Sequence, residues 1–185
     1  MVKNGPEENN RRLIASNSRF NVYFHAFHDG SQFIEDYLII EPKAAVHDFI
    51  SGVAVLPEAD GRFGLIRTFR RPMCLWVWEL PRGFVETGES VEESAARELF
   101  EETGLKCSVN SLVPLGFISP EAGLVSARIA LFLARALTVD PALVATQQSA
   151  DLAELRFFTL EEIGVMIKEG VIEDPCIMAV VLRLR

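Results

Sequence analysis

The run VEESAARELFEET, residues 91–103, constrains the fold more than any other stretch, because both ends of a helix are written into it and strand-type sequence lies on either side. Ser90 and Glu93 have the S-x-x-E spacing in which a hydroxyl and a carboxylate cap each other's backbone N–H groups. Gly104 stands where a left-handed residue closes a helix. The interior is Ala, Arg, Glu and Leu, which lose little side-chain freedom in a helix. Upstream, residues 20–40 are rich in aromatic and β-branched types and are cut by Asp29-Gly30, a hairpin signal. DFISGVAVLP and RFGLIRTFR repeat the pattern around Glu58-Ala59-Asp60-Gly61, Pro72 closes the second strand, and WVWEL follows. Downstream, SLVPLGFI, RIALFLARAL and LAELRFF read as strands, with the loop SPEAGLVSA between the first two. TLEEIGVMIKEG and DPCIMAVVLRLR read as helices. One central helix among strands, then a terminal helix pair, does not make a βαβ repeat; it predicts an α+β fold with αβα layering.

Composition sets the frame for that fold. With 185 residues, 49% of them apolar, the chain can bury a full core in one domain without staples. Residues 1–17 lack apolar periodicity and read as a flexible N-terminal arm, which leaves 18–185 as a single domain opened by a hairpin at 18–42. The formal net charge of -8, with no local basic patch, argues against a nucleic-acid partner. No run is long and apolar enough for a membrane span, and MVKNGPEENNRR has no leader-like core, so a cytoplasmic protein is expected. Cys74, Cys107 and Cys176 are odd in number and far apart, and read as reduced, mostly buried thiols.

The helix has two faces. At about 100° per residue, Glu98, Glu101 and Glu102 share one sector with Arg97 at its edge, while Ala96, Leu99, Phe100 and Thr103 project to the other side. Clustered carboxylates repel by a few tenths of a kcal/mol per pair, so this face is either solvated or holds a cation. Oxygen-only ligands favour Mg²⁺ or Mn²⁺ over zinc.

The residues upstream decide between the two. From Gly83 the sequence GFVETGESVEESAARELFEETGL places Gly83, Glu89, Arg97, Glu98, Glu101, Glu102 and Gly104 at the spacing GX5EX7REUXEEXGU, where U is bulky and aliphatic. Each fixed letter is expected by chance about one time in twenty. The segment resembles the Nudix box. Physically, Gly83 lets a loop pass close to an acidic face, and a Glu89–Arg97 pair would fold that loop over the helix. The resemblance implies a mixed central sheet, Glu98 and Glu102 as principal metal ligands with Glu101 assisting, and the Arg82 carbonyl completing the shell. Gly83, Glu89, Arg97 and Gly104 would shape the loop.

The likeness extends over roughly residues 19–185. LIRTFRRP followed by WVWELPRG is similar to the QYR…WELPAG run of ADP-ribose pyrophosphatases, and Pro120 lies sixteen residues beyond Gly104, as in that branch. It implies a small-molecule nucleoside diphosphate derivative as substrate, ADP-ribose first, cleaved to AMP and ribose 5-phosphate. GDP-mannose hydrolysis and a catalytically silent nucleotide-sugar-binding module are the alternatives. It also implies a homodimer, with the N-terminal hairpin as the candidate dimerisation element.

Other residues carry two readings each. Arg70 and Glu79 either face substrate or form a surface ion pair. Arg82, where the branch has a small residue, either contacts phosphate at the pocket lip or points to solvent. Ala127 falls where the branch often has a catalytic glutamate, so Glu121, the only acid of SPEAGLVSA, is the substitute general base or else a solvated loop residue. Trp76 and Trp78 belong to the core or to a base-stacking face. Tyr23, Phe24 and Phe27 are candidate stacking partners for a base, because the branch this chain resembles forms dimers in which the N-terminal strands of one subunit reach the other's site. His25, His28 and His47 have no ligand spacing and are assigned no role.

Overall fold

The computed structural model describes residues 10–139 and 152–184. The chain opens with β1 (Arg11–Ser16), β2 (Phe20–Asp29) and β3 (Gln32–Pro42), then β4 (Ile50–Ala59) and β5 (Arg62–Arg70), β6 (Leu75–Glu79) and β7 (Arg82–Phe84). Helix α1 (Val91–Thr103) leads to β8 (Leu105–Lys106), β9 (Leu112–Ile118), β10 (Arg128–Ala134) and β11 (Thr138–Val139). β12 (Leu152–Phe158), α2 (Leu160–Lys168) and α3 (Pro175–Arg183) complete the described chain.

The main sheet runs β12-β5-β4-β10-β9, with β6 on β5 and β7 on β4. It is mixed: β4 and β10 are parallel, and the other pairs are antiparallel. Period-2 alternation sends β4 and β10 to two cores. Ala54, Leu56, Leu131 and Leu133 pack with Ile163 of α2 and Ile177 and Val180 of α3. Val53, Val55, Ala130 and Phe132 pack with Ala95 and Leu99 of α1. Because both faces are covered, these strands read as unbroken apolar runs. The layers are αβα, as the order of elements predicts.

Helix α1 carries the expected capping box, Ser90 with Glu93, and ends at Gly104 with φ 72°. The second hairpin turns at Asp60-Gly61, both left-handed, the geometry that two-residue loops prefer. In the first hairpin Asp29 already pairs with Gln32, so the turn is Gly30-Ser31, one residue later than the Asp-Gly signal suggests.

The irregular arm expected up to residue 17 is corrected over part of its length. Arg11–Ser16 forms β1, paired antiparallel to β2 with a shift between Leu13 and Ala15. All six of its residues are exposed, so it is held by backbone pairing and a few surface contacts, such as Arg12 over the Phe24 ring, and has no apolar pattern to read. Residues 1–9 lie outside the described residues. The cysteines also differ from expectation, since Cys176 alone is buried, Cys107 is half-buried and Cys74 is exposed. Trp78 packs edge-on against Phe158, whereas Trp76 lies against Phe69 with 43% of its surface exposed. His25 buries its Nε2 without a hydrogen-bond partner. No helix among the described residues is long and apolar enough to cross a membrane.

Candidate active site

The site sits where β4 and β5 part. They pair only at Glu58–Phe63 and Ala59–Arg62; beyond that β6 takes the edge of β5 and β7 the edge of β4. Residues 79–83 therefore cross the gap between diverging strands. Two backbone bonds pin the crossing, Val55 N–H to the Pro81 carbonyl at 2.9 Å and Val85 N–H to Ser51 at 3.1 Å.

The crossing brings Gly83 against α1. A β-carbon on Gly83 would overlap the Glu98 carboxylate, so only glycine lets this strand and that side chain coexist. One turn on, Glu102 accepts a hydrogen bond from the Arg82 backbone N–H at 2.8 Å. Arg97 ties the rest together: its Nε donates to Glu89 at 3.0 Å, Nη1 to Glu98 at 2.7 Å and to Glu101 at 3.1 Å, and Nη2 to the Phe84 carbonyl at 2.9 Å. The pair of Glu89 with Arg97 is the one the spacing predicts. Ser94, wholly buried, donates to Glu89 at 2.7 Å, and that hydroxyl together with Arg97 holds Glu89 below the usual carboxylate range.

The other two carboxylates behave oppositely. Burial pushes Glu98 up, partly offset by Arg97, and pushes Glu102 up to about 7, against the pull of the Arg82 N–H. A buried carboxylate with one neutral donor is under-compensated when ionised. Among the described residues no group of three acidic, imidazole or thiol side chains forms a ready-made cation cage, because Glu98 and Glu101 turn to Arg97. The set Glu98, Glu101, Glu102 and Arg82 is thus adjacent without being converged. Its chemistry still fits a hard divalent cation: the donors are all oxygen, and Glu102, half-buried, has no arginine side chain in direct contact among the described residues, only the Arg82 backbone N–H.

Beside Gly83 and Glu98 opens a cavity of about 490 Å³. Arg19 and Phe20 of the N-terminal region and Phe84 form one wall, Arg70 and Arg82 line the cavity beside them, and Pro120, Val125 and Ala127 come from the loop before β10. Phe20 meets Phe84 edge-on at 5.6 Å, and Arg19 lies over the Phe84 ring while pairing with Glu86 at 2.7 Å. These aromatic and cationic residues were missed by sequence reasoning. Phe84 adjoins the motif glycine, which is a usable signal; Arg19 and Phe20 carry none. Tyr23, Phe24 and Phe27, expected to reach a partner subunit's site, do not line the cavity of their own chain.

Three expectations are corrected by their surroundings. Glu79 is 4% exposed and does not face the cavity; it lies beneath Arg70, whose Nε donates to it at 2.9 Å, and beneath Arg82. Glu79 is the buried end of that pair, while Arg70 is 40% exposed and lines the cavity. Arg82 lines the cavity but turns its guanidinium inward, to Glu79 and to Asp174 at 2.7 Å, so it neither reaches out from the lip nor points to solvent. Glu121 is exposed, and its carboxylate accepts from Gly123 N–H of its own loop at 3.3 Å. The loop is stapled to β3 by Ile40 N–H to Leu124 at 2.8 Å and Ser126 N–H to Ile40 at 2.9 Å, and Tyr37 donates to the Gly123 carbonyl at 2.5 Å. Ala127, not Glu121, faces the cavity.

The profile of the NUDIX domain family matches residues 49–180, which spans the sheet, α1 and both terminal helices. The chain belongs to the Nudix family. This Nudix domain is 32% identical over 111 residues to the ADP-ribose pyrophosphatase of Bacillus subtilis (strain 168), covering 58% of this chain and 59% of that protein. It is 46% identical over 56 residues to the ADP-sugar pyrophosphatase of Mus musculus, 30% of this chain and 26% of the other. A third relative, the ADP-ribose pyrophosphatase of Methanocaldococcus jannaschii, is 39% identical over 84 residues, 45% and 44% of the two chains. The matches thus span about a quarter to three-fifths of these relatives' lengths. In structure, the fold superimposes on a crystal structure of an ADP compounds hydrolase with a TM-score of 0.73 at 20% identity, covering 96% of this chain and 90% of the other.

Proposed function

We propose that this Nudix domain hydrolyses the diphosphate of a nucleoside diphosphate linked to another moiety, with ADP-ribose as the first substrate, giving AMP and ribose 5-phosphate. The observation that carries the reading is the junction of Glu98 and Glu102 with the Gly83 loop, of which Gly83 and Glu98 line the cavity. The matched relatives named for ADP-ribose and ADP-sugars support the substrate class.

Glu98 and Glu102, assisted by Glu101 and the Arg82 carbonyl, would hold Mg²⁺ or Mn²⁺, which supplies Lewis-acid polarisation of the diphosphate. Arg97 keeps the loop folded on α1 by holding Glu89 and the Phe84 carbonyl together. Arg70 offers positive charge to the phosphates from a guanidinium oriented by Glu79. Phe20 and Phe84 provide apolar surface that excludes water on one side. A homodimer through the N-terminal sheet accords with its exposed Leu13, Ile14 and Phe33. The three free cysteines accord with a cytoplasmic setting. Hydrolysis of GDP-mannose remains the neighbouring activity to compare.

A silent nucleotide-sugar-binding module is the second reading, favoured by one observation: Ala127 faces the cavity and Glu121 is held away from it. Phosphatase-coupled phosphate release from ADP-ribose and GDP-mannose, with Mg²⁺ or EDTA, for wild type and Glu102→Gln, separates the two. Metal-dependent turnover lost in the variant supports hydrolysis. Nucleotide binding without turnover supports the module.

A further inference from the structure

We propose that Asp174, at the start of the C-terminal helix, is a positioning residue of the diphosphate site, acting through Arg82; the inference rests on the hydrolase reading above. Asp174 is 7% exposed and uses its two oxygens for different tasks. Oδ1 accepts from Ile177 N–H at 2.9 Å and so caps α3. Oδ2 accepts from Arg82 Nη1 at 2.7 Å, while Arg82 Nη2 binds Glu79.

Helix capping alone does not call for a buried carboxylate. A serine hydroxyl caps as well and carries a much smaller desolvation cost. What the carboxylate adds is a grip on the terminal nitrogen of Arg82 that Glu79 leaves free. The same residue's backbone N–H holds Glu102, its strand pairs with Ala54, and the next residue is the glycine against Glu98. A guanidinium held at both terminal nitrogens restrains the backbone of residues 82–83, and the two glutamates meet on that backbone. An orienting partner outside the ligand shell commonly matters about 10- to 100-fold in cation affinity.

Asp174→Ser separates the tasks, because it keeps the cap and removes the grip. Thr159→Ala is the control: Thr159 caps α2 by the same geometry and does not contact Arg82. The probe is Mn²⁺ binding to the full chain, followed by electron paramagnetic resonance of free Mn²⁺ and independent of turnover, with thermal melting recorded for each variant. Asp174→Ser is expected to raise the Mn²⁺ concentration for half-occupancy about tenfold or more, while Thr159→Ala leaves it unchanged although it melts lower. Asp174→Asn, which can serve the cap or the arginine but not both, should shift binding less, in the same direction; it carries the test where the serine variant does not fold.

Unchanged Mn²⁺ binding in Asp174→Ser overturns the proposal and leaves the hydrolase reading standing. An equal shift in Thr159→Ala also overturns it, because the effect would then be general loosening. A wild type that binds no Mn²⁺ overturns the hydrolase reading and the positioning role with it.

Discussion

Glu102 makes the cation-free protein sensitive to pH in a direction opposite to ordinary acid denaturation. Its carboxyl is pushed from 4.5 to about 7 by burial, so the folded chain binds that proton more tightly than the unfolded chain does. The stabilisation is complete below the unfolded value and is lost as pH rises through the folded one. A shift of this size corresponds to about 3 kcal/mol of penalty once the group is ionised, at 1.36 kcal/mol per pH unit. Glu102→Gln removes the charge, keeps the shape and still offers an oxygen to the Arg82 N–H. In EDTA at pH 8 the variant should therefore be more stable than wild type by about 2 kcal/mol, allowing for the weaker neutral hydrogen bond. That amounts to a rise of roughly 4–8 °C in Tm for a chain of this size. At pH 5, where wild type is protonated at this position, the difference should shrink towards zero. Calorimetry at the two pH values measures it, and adding Mg²⁺ should stabilise wild type more than the variant. A variant no more stable than wild type at pH 8 would refute the placement of Glu102 in an under-compensated buried position.

Gly83→Ala puts a methyl group into the Glu98 carboxylate and should cut turnover by about a hundredfold or more, read from kcat, since misplacement of about 1 Å already costs that much. Leu131→Ala removes a wholly buried side chain between the sheet and the C-terminal helices and should cost about 2–5 kcal/mol in chemical denaturation. Glu121→Gln should leave the rate of ADP-ribose hydrolysis unchanged, because that carboxylate is bound to its own loop.

Legibility in the sequence followed the range of the interaction involved. Helix α1 could be bounded at both ends because Ser90, Glu93 and Gly104 act within a few residues of one another. The second hairpin was visible for the same reason, and so was the Glu89–Arg97 pair, which spans one loop-to-helix junction. Arg82 could not be placed, because its orientation depends on Asp174 from the far end of the chain. Glu79 has a strand-edge look in sequence but is buried, with Arg70 and Arg82 paired to it. Glu121 was a reasonable substitute base by composition, yet backbone bonds to Ile40 and its own turn decide where it goes. β1 has no pattern because it buries nothing.

The parallel pairing of β4 with β10 has a consequence for the order in which the molecule assembles. Val53 lies beside Ala130, and everything between them, including the whole signature from Gly83 to Leu105, is a loop that this pairing closes. Such distant contacts form slowly relative to a capped helix, which needs only its own neighbours. A nascent chain that has just released Leu105 would thus carry the complete signature and a helix ready to form, but no cleft. The wall formed by Pro120, Val125, Ala127 and Ile129 arrives only with β10, so the cavity closes together with the core between β4 and β10.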